Sequence, residues 1–112
     1  MIIQKTREEI ELMRESALIV SKTLGMIASE IKEGVTTLYL DKRAEEFIRD
    51  HGAVPSFLGL YGFPNSLCMS PNAQVVHGIP NNKPLESGDV ISVDCGAFKN
   101  GFHGDHAYSF EI

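Results

Sequence analysis

Apolar residues in the first third of the chain recur at helical spacing. Ile10, Met13, Ala17, Val20, Leu24, Ile27, Ala28 and Ile31 follow at steps of three and four, while Arg7, Glu11, Arg14 and Lys22 fall on the other side. Thr6-Arg7-Glu8-Glu9 in front of them has the form of a capping box, a hydroxyl residue followed three later by Glu. The pattern predicts a long amphipathic helix that Gly34 stops. A second capped segment starts near Thr37, with Leu40, Ala44, Phe47 and Ile48 on one side and Asp41, Lys42, Glu45 and Arg49 on the other, and ends at Gly52.

Beyond Gly52 the pattern changes, because Pro55, Pro64, Pro71, Pro80 and Pro84 forbid a long helix and leave short strands and loops. The β-branched run from Val90 through Phe98 leads to Asn100-Gly101, a dipeptide that signals a two-residue hairpin turn. With those two residues at the turn, Asp94 pairs with Ala107 and Gly96 with Asp105. The two aspartates then share one sheet face as diagonal neighbours, with Cα atoms on the order of 7–8 Å apart. His103 lies on that face too. The other face carries Ile91, Val93, Cys95, Ala97, Phe102, His106, Tyr108 and Phe110, and is the one the helices are expected to cover. No period, low-complexity stretch or linker divides the chain. The predicted architecture is α+β, two amphipathic helices packed on an antiparallel sheet.

Composition narrows the function classes. Ten Lys and Arg against fifteen Asp and Glu give a net charge of −5, which excludes a basic nucleic-acid footprint. Ala17-Leu18-Ile19-Val20 is far shorter than the roughly 7–15 residues of a signal-peptide core or the ~20 of a membrane span, so a cytoplasmic protein is expected. Cys68 and Cys95 form no Cys-x-x-Cys pair and are expected to be free thiols. Neither phosphate-binding glycine motif is present, which leaves nucleotide binding without support.

The aspartates carry the most pointed chemistry. Aspartate is depleted in strands, and two like charges converging on one face are a cost that a bound cation would offset. Carboxylate oxygens suit divalent metals, and a shared carboxylate bridges two ions in sites that activate water. The plainer account is that both are solvated or bonded to loop amides. His51, before Gly52, is placed to cap a helix C-terminus. His77, before Gly78 and Pro80, is a loop imidazole suited to donating to a carbonyl or moving protons near neutrality, with a purely structural role as its plainer account. For His103 and His106 the plain account is a hydrogen bond within the sheet. Phe57, Phe63, Cys68 and Met69 flank Tyr61-Gly62-Phe63-Pro64 and suit a small apolar pocket, with core packing as the plainer account that composition favours.

Four segments together resemble the type I methionine aminopeptidases. They are Gly62-Phe63-Pro64-Asn65-Ser66-Leu67-Cys68, the stretch from Asn72 through Val75-Val76-His77-Gly78-Ile79-Pro80, Gly88-Asp89-Val90-Ile91-Ser92-Val93-Asp94, and Gly101-Phe102-His103-Gly104-Asp105. The opening helix and the Gly34-Val35-Thr36-Thr37-Leu38 boundary are similar to that family as well. The resemblance implies the pita-bread fold, in which two pseudo-symmetric αβ halves surround a pair of divalent metal ions (Co, Mn, Fe or Zn). It also implies removal of the N-terminal methionine from nascent polypeptides. By that resemblance Asp94 chelates one metal, Asp105 bridges both, His77 contacts substrate near the scissile peptide, and Phe63 and Cys68 line the methionine pocket.

Two departures stand out. Asn72-Ala73-Gln74 replaces an Asn-Glu common in the family, which removes a charge near His77. The chain also ends at Ile112, where family members run to roughly twice the length, as two αβ halves require. The expectation is therefore that residues 1–112 are a single partial domain, the amino-terminal αβ half, lacking part of the ligand set and inactive alone. The alternatives are a non-catalytic pita-bread binding module and a hydrolase resembling creatinase or the proline peptidases.

Overall fold

Thr6 opens the first helix with both bonds of a capping box. The Glu9 amide donates to its Oγ1 at 3.1 Å and its own amide donates to the Glu9 carboxylate at 3.0 Å. The computed structural model describes residues 6–56, 67–71, 80 and 82–112. Helix α1 spans Arg7–Glu30 and helix α2 spans Thr37–Asp50, the latter capped by the Thr36 hydroxyl, which accepts from the Tyr39 amide. His51 closes α2, its Nδ1 2.8 Å from the Phe47 carbonyl oxygen, as its place before Gly52 suggested.

Strands β1 (Val54–Pro55), β2 (Leu67–Pro71), β3 (Val90–Lys99) and β4 (Phe102–Glu111) form one antiparallel sheet around β3. β4 pairs with one edge of β3 along its whole length. β1 and β2 share the opposite edge, β1 at Ala97 and Phe98, β2 from Ile91 to Cys95. Asn100 and Gly101 hold φ of 55° and 84°, the left-handed pair that matches the twist of a hairpin. The resulting register pairs Asp94 with Ala107 and Gly96 with Asp105, as the turn chemistry predicted.

Both helices lie on one face, α1 across β3 and β4 and α2 over β1 and β2. Ile19, Val20, Leu24 and Ile27 of α1 and Leu40, Ala44 and Ile48 of α2 meet Leu67, Met69, Ile91, Val93, Cys95 and Ala97 in a single core. Met69 therefore belongs to the core, on the face opposite Asp94, in agreement with core packing as its plainer account.

The buried side of α1 is rotated from the predicted stripe. Ser16 and Thr23 are fully buried, whereas Ile10, Ala17 and Ala28 are exposed. A hydropathy stripe counts hydroxyls as polar, yet a small hydroxyl is buried at little cost when bonded. Thr23 Oγ1 donates to the Ile19 carbonyl at 2.7 Å, and Ser16 Oγ reaches the Phe102 carbonyl at 3.0 Å, fastening the helix to the hairpin. The approach is close because β4 has Gly104 there: a Cβ at that position would lie 2.8 Å from the backbone of Ser16 and Ala17. Tyr108 also departs from expectation. It lies on the helix-facing side but is 58% exposed, because β4 is an edge strand and an open groove separates it from α1.

Three further contacts hold the layers in register. Lys99 Nζ bonds Glu15 of α1 at 2.8 Å and the His51 carbonyl at 3.1 Å, tying the hairpin end to both helices. Tyr39 and Arg43 of α2 both bond the Glu30 carboxylate, and the Tyr39 hydroxyl, with Arg43 second, holds Glu30 below the usual carboxylate range. The buried Asp41 carboxylate accepts the Leu67 amide at 2.7 Å, which anchors the start of β2 to α2.

Two outcomes are expected. Gly104→Ala should destabilise the protein by about 1–3 kcal/mol in denaturant melts, since the added carbon meets helix backbone rather than a movable side chain. Burial pushes the Cys95 thiol up to about 12, so mass mapping after alkylation near neutral pH should find Cys95 unmodified in the folded protein and modified in denaturant.

Candidate metal centre

Period-two alternation along the hairpin sorts its side chains between two environments. Odd positions of β3 enter the core, and even positions, with their β4 partners, face away from the helices. Asp94 and Asp105 are thereby brought to the same face as diagonal neighbours one register step apart. Asp94 is half-buried and Asp105 is exposed. Cys68 is the register partner of Asp94 on β2, so three of the positions singled out from sequence fall on three adjacent strands. Phe63 and His77 lie outside the described residues.

The two carboxylates differ from Asp41 in one respect that bears on ligands. Asp41 spends its charge on a backbone amide at 2.7 Å, whereas Asp94 and Asp105 have no hydrogen-bonding or ionic partner among the described residues. Acceptor-only groups placed side by side without donors suit a cation. Two ligands do not complete a site, and among the described residues no group of three or more His, Cys, Asp or Glu side chains converges to hold a metal ion. The donor set thus fits a divalent metal in chemistry and supplies part of its coordination.

Around these carboxylates the face is built from residues that sequence reasoning left in the background. Gly96, between Asp94 and Phe98, is buried beneath Ser56, whose amide donates to the Gly96 carbonyl at 3.0 Å. Ser56 Oγ lies 2.9 Å from His103 Nδ1 on β4, and the His103 ring packs on Phe98 with centroids 4.4 Å apart. A glycine within a strand often marks close approach of another segment, and Gly96 was the available signal. His106 is on the opposite face, against the α1 groove, as its position in the hairpin predicted.

Comparisons with known proteins agree with this arrangement. The model of metallopeptidase family M24 matches residues 11–112. The chain is 52% identical over 112 residues to a methionine aminopeptidase of Clostridium perfringens and 47% identical to methionine aminopeptidase 1 of Bacillus subtilis. It is covered in full by both and spans 45% of each. The structure of methionine aminopeptidase from Rickettsia prowazekii superposes with a TM-score of 0.95 at 37% identity, over 100% of this chain and 45% of that one. Prolidase from Pyrococcus furiosus follows the same fold at 0.83 and 25% identity, over 96% of this chain and 31% of that one. The chain spans somewhat under half the length of the curated relatives it matches. Two helices on one face of an antiparallel sheet match the pita-bread fold of methionine aminopeptidases and prolidases. By sequence along nearly its whole length and by fold, the chain belongs to metallopeptidase family M24.

Proposed function

We propose that the protein to which this chain belongs removes the N-terminal methionine from nascent polypeptides, and that residues 1–112 form the amino-terminal αβ half of its catalytic domain. The observation that carries the proposal is the convergence of Asp94 and Asp105, unpartnered among the described residues, on the sheet face away from the helices. The similarity to methionine aminopeptidases, at 52% and 47% identity, selects the substrate over the dipeptides of the prolidases, which share the fold at lower identity.

In this reading Asp94 and Asp105 would be protein ligands of the divalent metal ions, which would supply Lewis acidity for hydrolysis of the peptide bond. Which of Co, Mn, Fe or Zn serves depends on availability as much as on ligands. His77 donates to the substrate near the scissile carbonyl, and Phe63 and Cys68 line the pocket for the methionine side chain. The register supports the part given to Cys68, since its backbone sits directly across from Asp94. No helix among the described residues is long and apolar enough to cross a membrane.

Methionine release from a Met-Gly peptide, measured with added Mn²⁺ or Co²⁺, tests the proposal. The full-length protein should turn over, and Asp94→Asn or Asp105→Asn should each lower its activity by at least about 100-fold, since even outer-shell changes at metal sites cost 10–100-fold. Residues 1–112 alone should show little activity and weak metal binding by calorimetry, because two carboxylates leave most coordination positions to water. A full-length protein inert toward methionyl peptides would be a binding module instead, and one that prefers Xaa-Pro peptides would move it to the proline-peptidase branch.

A further inference from the structure

Ser56 stands where the chain leaves the sheet. Its amide is bonded to the Gly96 carbonyl just past the end of β1, and eleven residues on in sequence Leu67 pairs with Cys95 on the same edge of β3. The side chain of Ser56 does something unusual for that position. It lies across β3 and reaches His103 on β4, a full strand beyond the one its backbone pairs with. That reach depends on Gly96 having no side chain, because a Cβ there would sit 2.9 Å from Ser56 Cβ and 3.1 Å from its Oγ. His103 is held from both sides, by Ser56 at Nδ1 and by the ring of Phe98, its register partner. It is also two residues before Asp105, on the same face.

We propose that Ser56 and His103 are a positioning pair: a clasp over Gly96 that fixes the end of β1 relative to the strand bearing Asp105. The inference rests on the proposed function, in which Phe63, seven positions after Ser56 in sequence, lines the methionine pocket and Asp105 belongs to the metal centre. Neither clasp residue touches the reacting atoms. Their work is to hold substrate pocket and metal centre in one frame, so that loss of the clasp loosens methionine binding and spares the chemical step.

The experiment uses the full-length, metal-loaded protein and a Met-Ala-Ser peptide. Ser56→Ala and His103→Gln should each raise KM by about three- to tenfold, the worth of one hydrogen bond, with kcat within about twofold. His103→Asn should restore the wild-type KM, since its amide occupies the place of Nδ1, whereas the Gln amide occupies that of Nε2. The double variant Ser56→Ala/His103→Gln should be no worse than either single one, as expected of two residues sharing one interaction. A fall in kcat at unchanged KM, additive losses, or an Asn variant as impaired as the Gln variant would overturn the proposal. Imidazole ¹⁵N resonances supply a readout independent of turnover: the His103 Nδ1 signal should shift in Ser56→Ala, and an unchanged signal shows that no clasp exists. If the protein cleaves no methionyl peptide, the functional reading fails while the Nδ1 signal still decides whether the clasp is there.

Discussion

The register of the β3–β4 hairpin is the constraint from which the rest follows. Side chains alternate between faces with a period of two, so a slip of one residue would send Asp105 into the helix layer and His106 to the acidic face. Asn100 and Gly101 prevent the slip by adopting left-handed backbone that few other residue pairs tolerate. The turn is then pinned from outside: Ser16 bonds the Phe102 carbonyl, Lys99 bonds Glu15 and the His51 carbonyl, and Asn100 bonds Glu15. Each of these contacts joins the hairpin end to α1 or to the close of α2. Placement of two carboxylates therefore depends on a set of contacts at the far end of the hairpin from Val90 and Glu111.

Two glycines on the hairpin show how one sheet serves two purposes. Gly104 faces the helices and lets the α1 backbone come close enough for Ser16 to bond the strand. Gly96 faces the other way and lets Ser56 cross β3 to His103. Both positions lack a Cβ for the same steric reason, yet one closes the core and the other shapes the acidic face. The two demands are independent because they fall on opposite faces of the sheet.

Much of this was legible from residues alone, and the exceptions share a cause. The capping box, the breaks near Gly34 and Gly52, and the Asn-Gly turn are local signals, and each element they predict is present. The facing of α1 differs from its hydropathy stripe because Ser16 and Thr23 are buried through bonds to carbonyls, one of them on a strand more than eighty residues away. Exposure of Tyr108 depends on which strand lies at the edge, which is not a property of the local sequence. The pairing of Asp94 with Cys68 likewise arises only when β2 docks, and β2 is anchored by Asp41 of α2.

The contrast among aspartates gives the argument for a ligand its physical basis. Burying Asp41 is tolerable because its charge meets a backbone donor at 2.7 Å, and it repays the cost by locating β2. Asp94 and Asp105 have no such partner among the described residues, and their proximity adds repulsion that the hairpin must overcome. The opposing face supplies the means, since Ile91, Val93, Cys95 and Ala97 are completely buried in the core beneath the helix layer. A hairpin held so firmly by its apolar face can carry an unfavourable arrangement of charge on the other. Under the function proposed above, divalent cations would offset that repulsion, and the same packing would hold the two carboxylates in place for them.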